Sequence, residues 1–226
     1  MSSPFNLLFK SERLNREQKI AISGTGIYLI SKGLEVVYLG KYQPSDGKII
    51  RDRWCRHLQT ITARGYNIGF GGRIPERRLA KLMEAVEHPN LRQVLQATYT
   101  HDRQRFRDSG HNTTSNRLRF ASENWDLFGA ATPECVLDDI TFSLVLMPTA
   151  KPKAGVKIDV SMVEKQVLLQ YKPCCNVQYL HAEHRHARLD NTLPSILDAV
   201  RKSMRAVTGF DSVYSAQLRA MPRAGL

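Results

Sequence analysis

Two apolar runs separated by a glycine turn restrict the early part of this chain to a β-hairpin. Residues 26–31 read Gly-Ile-Tyr-Leu-Ile-Ser and residues 34–39 read Leu-Glu-Val-Val-Tyr-Leu. Both runs are rich in β-branched and aromatic side chains, and Lys32-Gly33 between them is a turn signal. So short a connection makes the strands antiparallel. Tyr28 and Tyr38 then lie close across the pair, because side chains on one face of antiparallel neighbours are within contact range.

A helix follows. Ile50, Trp54, Leu58 and Ile61 recur at three- and four-residue steps and form its buried stripe. Gly47 precedes it, and Gly65 after Arg64 is the expected C-cap. Arg53 and His57 are four apart and share the neighbouring face. That face brings them to the edge of the sheet beside the tyrosines. Tyrosines, an arginine and a histidine converging there suit the handling of a phosphate.

The middle of the chain predicts a helical pair. Pro75 fits a first helical turn, with Leu79, Leu82, Met83 and Val86 as one apolar face. Leu91, Val94 and Leu95 supply the next. Residues 102–124 read as a flexible basic segment, in which Arg103, Arg105, Arg107, Arg117 and Arg119 lie among Ser, Thr and Asn residues including Asn112 and Asn116. Arginine and asparagine contact phosphates and base edges, so this segment, with Lys41, is the expected DNA-binding surface; the alternative is a solvated loop. Residues 140–147 then form a third strand, ended by Pro148. Residues 156–160 suit a short strand. Ser161 with Glu164 three residues on is a capping-box pattern, which starts a helix and gives Glu164 a structural use. Residues 192–207 predict a C-terminal helix, with Thr192 as cap, Pro194 in the first turn, an apolar face that includes Ile196, and Gly209 as the stop.

The expected fold is therefore α/β of the α+β kind. A small three-stranded, mainly antiparallel sheet is flanked by helices, with a large helical and basic insertion and a C-terminal helix. A single domain is expected over residues 1–226. Its core comes from residues 22–65 and 138–180, the insertion is 66–137, and 181–226 is a helical extension.

Charge narrows the partners. The 226 residues carry a formal net charge of +12, which favours a polyanion such as the phosphate backbone. Four cysteines, two of them adjacent, make no secreted disulfide framework. The first six residues lack the charged start and apolar core of a signal peptide, and no apolar run reaches a membrane span. A cytoplasmic protein with no membrane partner, from a prokaryotic or phage-like setting, is expected. Cys174, Cys175, His181, His184 and His186 are zinc-ligand residue types, but an adjacent Cys pair fits no standard zinc spacing. Packed cysteines and a His/Arg run near phosphate or solvent are expected instead.

The ordered elements Gly26-Ile27-Tyr28, Tyr38-Leu39-Gly40, Arg53-Trp54 with His57, and Glu164 followed by Pro173 and Asn176 resemble the GIY-YIG nuclease family. The last block has the spacing of the family's excision-repair branch. The resemblance covers residues 22–62 and 157–180. The chain departs from the family in a longer loop after Gly40, in Tyr42, and in the long interval between His57 and Glu164.

The resemblance implies a metal-dependent endonuclease that hydrolyses phosphodiester bonds in double-stranded DNA. Its catalytic residues would be Tyr28, Tyr38, Arg53, His57, Glu164 and Asn176. Tyr28 would act as general base or orient it, and His57 would position or deprotonate the water. Arg53 would neutralise charge on the phosphoryl oxygens. Glu164 would hold one Mg²⁺, or alternatively Mn²⁺. Tyr38 would bond the phosphate or Tyr28, and Asn176 would brace the site. A site-specific restriction type is the expected subtype, because the insertion sits within the catalytic domain. Cutting both strands of a symmetric site calls for a homodimer or higher homo-oligomer. The alternatives are a structure-specific, repair or mobile-element nuclease, or a DNA-binding protein without catalysis.

Overall fold

The computed structural model describes residues 25–43, 50–64, 68–107, 112–129, 139–146, 160–177, 187–188, 190–192, 194–196 and 198–199; the side chains of 50–55, 144, 146 and 187 are outside the description. The hairpin forms as expected. Strand β1 (Gly26–Lys32) pairs antiparallel with β2 (Glu35–Tyr42), and Gly33 in the turn takes φ +53°, a left-handed conformation that glycine adopts without a Cβ penalty. Strand β2 runs on past Leu39, so that Tyr42 pairs with Gly26. Strand β3 (Ile140–Leu146) lies on the other side of β1, and a two-residue β4 (Ala187–Arg188) extends the sheet in the order β3-β1-β2-β4, all antiparallel.

Central position explains the sequence of β1. Ile27 and Leu29 point to one face and Tyr28 and Ile30 to the other, and all four are fully buried. The first face is covered by helix α7 (Val160–Tyr171) through Val160, Val163, Val167 and Leu168. The second is covered by α1 (Ile50–Thr62) and α5 (Ser115–Glu123), with Ile61, Leu118 and Phe142 packed around Tyr28 and Ile30. Each fully buried aliphatic side chain contributes roughly 1.5–3 kcal/mol of transfer free energy. The sheet is thus a middle layer between helices.

Helices α2 (Pro75–Met83) and α3 (Pro89–His101) form the expected pair, with Pro75 and Pro89 in their first turns. Val94 is not part of the buried face; it is 45% exposed, while Leu91 and Leu95 are buried.

The expected flexible basic segment is largely helical among the described residues. It contains α4 (Gln104–Arg107) and α5, followed by α6 (Trp125–Phe128). The reason is apolar. Phe106, Leu118, Phe120, Ala121, Trp125 and Phe128 are buried in the core that also holds Tyr28. Thr114 caps α5 by accepting from the Arg117 N–H.

Three other boundaries differ from expectation. Helix α1 ends at Ala63, which takes φ +56°, while the Arg64 N–H reaches back to the Gln59 carbonyl at 3.1 Å. Gly65 lies outside the described residues, as do residues 44–49 of the long loop. Helix α7 already includes Val160, which places Ser161 inside the helix rather than at its cap; residues 156–159 of the expected short strand lie outside the described residues. Residues 190–192, 194–196 and 198–199 are helical, so Thr192 sits within the first turn, its hydroxyl donating to the Arg188 carbonyl at 2.7 Å. Among the described residues no helix is long and apolar enough to cross a membrane.

Candidate active site

Glycine at position 40 is what lets the two tyrosines share one surface. Tyr28 pairs with Gly40 across the hairpin. A Cβ built at Gly40 would lie 2.6 Å from the Tyr28 hydroxyl oxygen and 2.7 Å from its ring carbon Cζ, so the phenol occupies the space a side chain would need. Tyr38 pairs with Ile30 and is therefore the diagonal neighbour of Tyr28 on the same face. Their ring centroids are 6.0 Å apart at an interplanar angle of 27°.

His57 enters from α1. Its Nε2 is 2.6 Å from the Tyr28 hydroxyl, and its ring lies 4.4 Å from that of Tyr38. Tyr28 is fully buried, whereas His57 and Tyr38 are half-buried and form the part of the cluster that meets solvent. Arg53 is on α1 one turn ahead of His57; its side chain lies outside the description.

An arginine from α5 joins the cluster. The guanidinium of Arg117, from α5, stands 5.0 Å from the Tyr38 ring centroid and 3.4 Å from His57 Nδ1. It also donates to Thr60 Oγ1 at 2.7 Å, and its Nε is 3.5 Å from the Cys175 carbonyl. Sequence reasoning placed Arg117 only on a DNA-binding segment. Buried spacing at Leu118, Ala121 and Trp125, with Thr114 as cap, is the signal that would have revealed the helix carrying it.

The remaining residues gather along the outer edge of β2. Among the described residues, β4 pairs with Glu35 and Val36, and the edge from Val37 onward takes other partners. A bulge leaves Val37 extra in the ladder, and its carbonyl accepts from the Cys175 N–H at 2.9 Å. Asn176 acts as a substitute strand: its Oδ1 accepts from the Leu39 N–H at 2.9 Å and its Nδ2 donates to the Leu39 carbonyl at 2.7 Å. Glu164, 8% exposed, accepts the Lys41 N–H at 3.0 Å. The Lys41 ammonium donates to Ser161 Oγ at 2.7 Å. Local structure sets this loop: Lys172 takes φ 44° at the end of α7, its N–H bonds the Leu168 carbonyl, and Pro173 stops the helix. Asn116 then ties α5 to the loop by donating to the Asn176 carbonyl at 3.1 Å.

Replacing Asn176 with Ala would leave both backbone groups of Leu39 without these partners. A loss of about 2 kcal/mol in stability is expected, read as a lower urea midpoint at unchanged slope.

Glu164 and the Tyr28 hydroxyl meet the same peptide, Gly40–Lys41, the phenol beside the Gly40 Cα and the carboxylate at the Lys41 N–H. A nearly buried carboxylate with a fixed orientation fits a hard cation that keeps most of its waters, which is how Mg²⁺ is commonly held. Among the described residues no three His, Cys, Asp or Glu side chains converge as a cage. Cys175 is fully buried, and burial first, then the hydrogen bond with Cys174, pushes its thiol well above the ordinary range. Both thiols pack together, 3.9 Å apart. His181, His184 and His186 lie outside the described residues.

The other basic candidates scatter. Arg105 stacks on Phe70 and donates to the Ile68 carbonyl at 3.2 Å, and Arg103 lies over the Tyr99 ring. Asn112 packs against Gly71. Arg103, Arg107 and Arg119 are exposed. No family model matches the chain, and no curated protein or solved structure matches it.

Proposed function

We propose that the chain is a GIY-YIG-type, metal-dependent endonuclease acting on double-stranded DNA, with a site-specific restriction enzyme as the leading subtype. The observation that carries the reading is the hydrogen-bonded Tyr28–His57 pair, seated over Gly40 and beside the Tyr38 ring. A buried phenol hydrogen-bonded to an imidazole is suited to moving a proton. The net charge of +12 suits a phosphate backbone.

In this mechanism water attacks phosphorus and the new P–O bond forms as the bond to the 3′ oxygen breaks; Tyr28, acting as a phenolate held by the His57 ring, takes the water proton, and the departing 3′ oxygen takes a proton from solvent. Arg53, on the face of α1 that bears His57, neutralises charge on the phosphoryl oxygens. Glu164 is the residue that would hold Mg²⁺ or Mn²⁺. When bound, such an ion supplies Lewis-acid polarisation of the phosphate and stabilises the leaving oxygen. Asn176 acts from outside the chemistry, by fixing β2 at Leu39. A symmetric site cut on both strands would engage a homo-oligomer.

Incubating the purified protein with mixed phage and plasmid DNA, with Mg²⁺ and with EDTA, tests the reading. Discrete fragments that require Mg²⁺ or Mn²⁺ are expected. Cleavage confined to branched or damaged DNA would shift the reading to a structure-specific or repair nuclease. Salt-sensitive binding with no cleavage of any DNA would replace it by a non-catalytic DNA-binding protein.

A further inference from the structure

Arg117 reaches the cluster from the opposite side to Glu164, and the chemistry of its contacts fixes more than position. A guanidinium carries only donors. At 3.4 Å from His57 Nδ1 it obliges that nitrogen to accept. With Nδ1 as acceptor a neutral ring carries its proton on Nε2, which is 2.6 Å from the Tyr28 oxygen, and in that tautomer the imidazole donates and the phenol oxygen accepts. The hydroxyl of Thr60 supports the same polarity. It donates to the His57 carbonyl at 3.1 Å, which leaves its lone pair to accept from Arg117 at 2.7 Å. Thr60 is itself held by α5, because Thr113 Oγ1 donates to the Thr60 carbonyl at 2.8 Å. Arg117 occupies the first turn of a capped helix, and its amide is the one Thr114 caps.

We propose that Arg117 is a positioning residue which holds His57 in the tautomer protonated at Nε2, so that the Tyr28 oxygen is the acceptor of the pair. The helix that carries it belongs to the segment between the two halves of the core, so that segment supplies a working part of the site. The consequence for cleavage rests on the nuclease reading above; the tautomer does not.

The test is long-range ¹H–¹⁵N NMR of the His57 ring in the full chain, wild type against Arg117→Met, beside the cleavage rates of both. Wild type is expected to show a bare Nδ1 and a protonated Nε2. Arg117→Met, which keeps the bulk and loses the donors, is expected to show a mixture of tautomers. Its kcat is expected to fall at least about 10-fold, with KM for DNA nearly unchanged, whereas loss of a phosphate contact would raise KM. Arg117→Lys, which retains a donor, is expected to restore the wild-type ring spectrum at least in part, and Thr60→Val, which keeps the guanidinium but removes its anchor, is expected to show some of the tautomer mixture of Arg117→Met. Protonated Nδ1 in the wild type, or an unchanged His57 spectrum in Arg117→Met, would overturn the proposal. Absence of cleavage by every variant alongside the expected spectra would overturn the nuclease reading and leave the positioning role standing.

Discussion

The Glu164→Gln protein is expected to fold like the wild type and, under the proposed mechanism, to cleave DNA about a thousandfold more slowly, because losing the carboxylate that would hold the metal would remove several kcal/mol of transition-state stabilisation. The comparison with Glu164→Ala gives the experiment its force. Glu164 has a structural task that the sequence alone sets in competition with catalysis, yet the task in the fold is not the helix cap. Its Oε1 accepts the Lys41 N–H on the exposed edge of β2. Glutamine keeps that acceptor and loses the charge. Alanine loses both, and should cost an additional ~1–2 kcal/mol of stability by leaving the Lys41 amide without this partner. Cleavage rates with saturating Mg²⁺ and urea midpoints separate the two effects. A Glu164→Gln enzyme of wild-type rate would remove Glu164 from the metal site, whatever its stability.

Gly40→Ala should be nearly as damaging from a single methyl group. The added carbon would need to move from 2.6 Å to an ordinary contact of 3.4 Å from the Tyr28 hydroxyl. Tyr28 has no room to swing, since it is fully buried among Ile30, Ile61 and Phe142. The phenol must tilt, and a shift of that size lengthens or breaks its 2.6 Å bond to His57. Misplacing a reacting group by roughly 1 Å costs about a hundredfold in rate, and overpacking of this kind costs about 1–3 kcal/mol in stability. Both mutations act through one oxygen, so adding Tyr28→Phe to Gly40→Ala should lower the rate little further than Tyr28→Phe alone. A Gly40→Ala protein with wild-type kinetics would show that the position of the phenol oxygen does not matter.

Local pattern made the sheet legible. Strands with strong β-branched runs appear where expected, at Gly26–Lys32, Glu35–Tyr42 and Ile140–Leu146, because a hairpin turn and alternating burial are written in neighbouring residues. Residues 104–107 and 115–128 were obscured by composition. Their arginines and polar residues mask a thin apolar stripe, and the burial of Phe106, Leu118, Trp125 and Phe128 in a shared core is what holds these short helices in the fold. Of the candidate site, the residues read from their motifs were nameable before the fold was known. Arg117 was not assigned to it, since no local spacing says that a side chain from this segment will reach His57. Gly40 showed the converse case: a residue visible in the motif whose reason, room for the Tyr28 ring, emerges only from the register of the strands.

The edge of β2 closed by Glu164 and Asn176 bears on how the chain comes off the ribosome. The hairpin is synthesised first, with one flank later taken by β3 and the other by side chains that follow α7 or lie on it. At about 5–20 residues per second, those covers arrive roughly 5–25 s after the hairpin. During that interval two apolar strands stand with unpaired backbone on both sides, a template for pairing with another nascent chain. Slower translation or a missing holdase chaperone should therefore send this protein into inclusion bodies well before its folded stability becomes the limit.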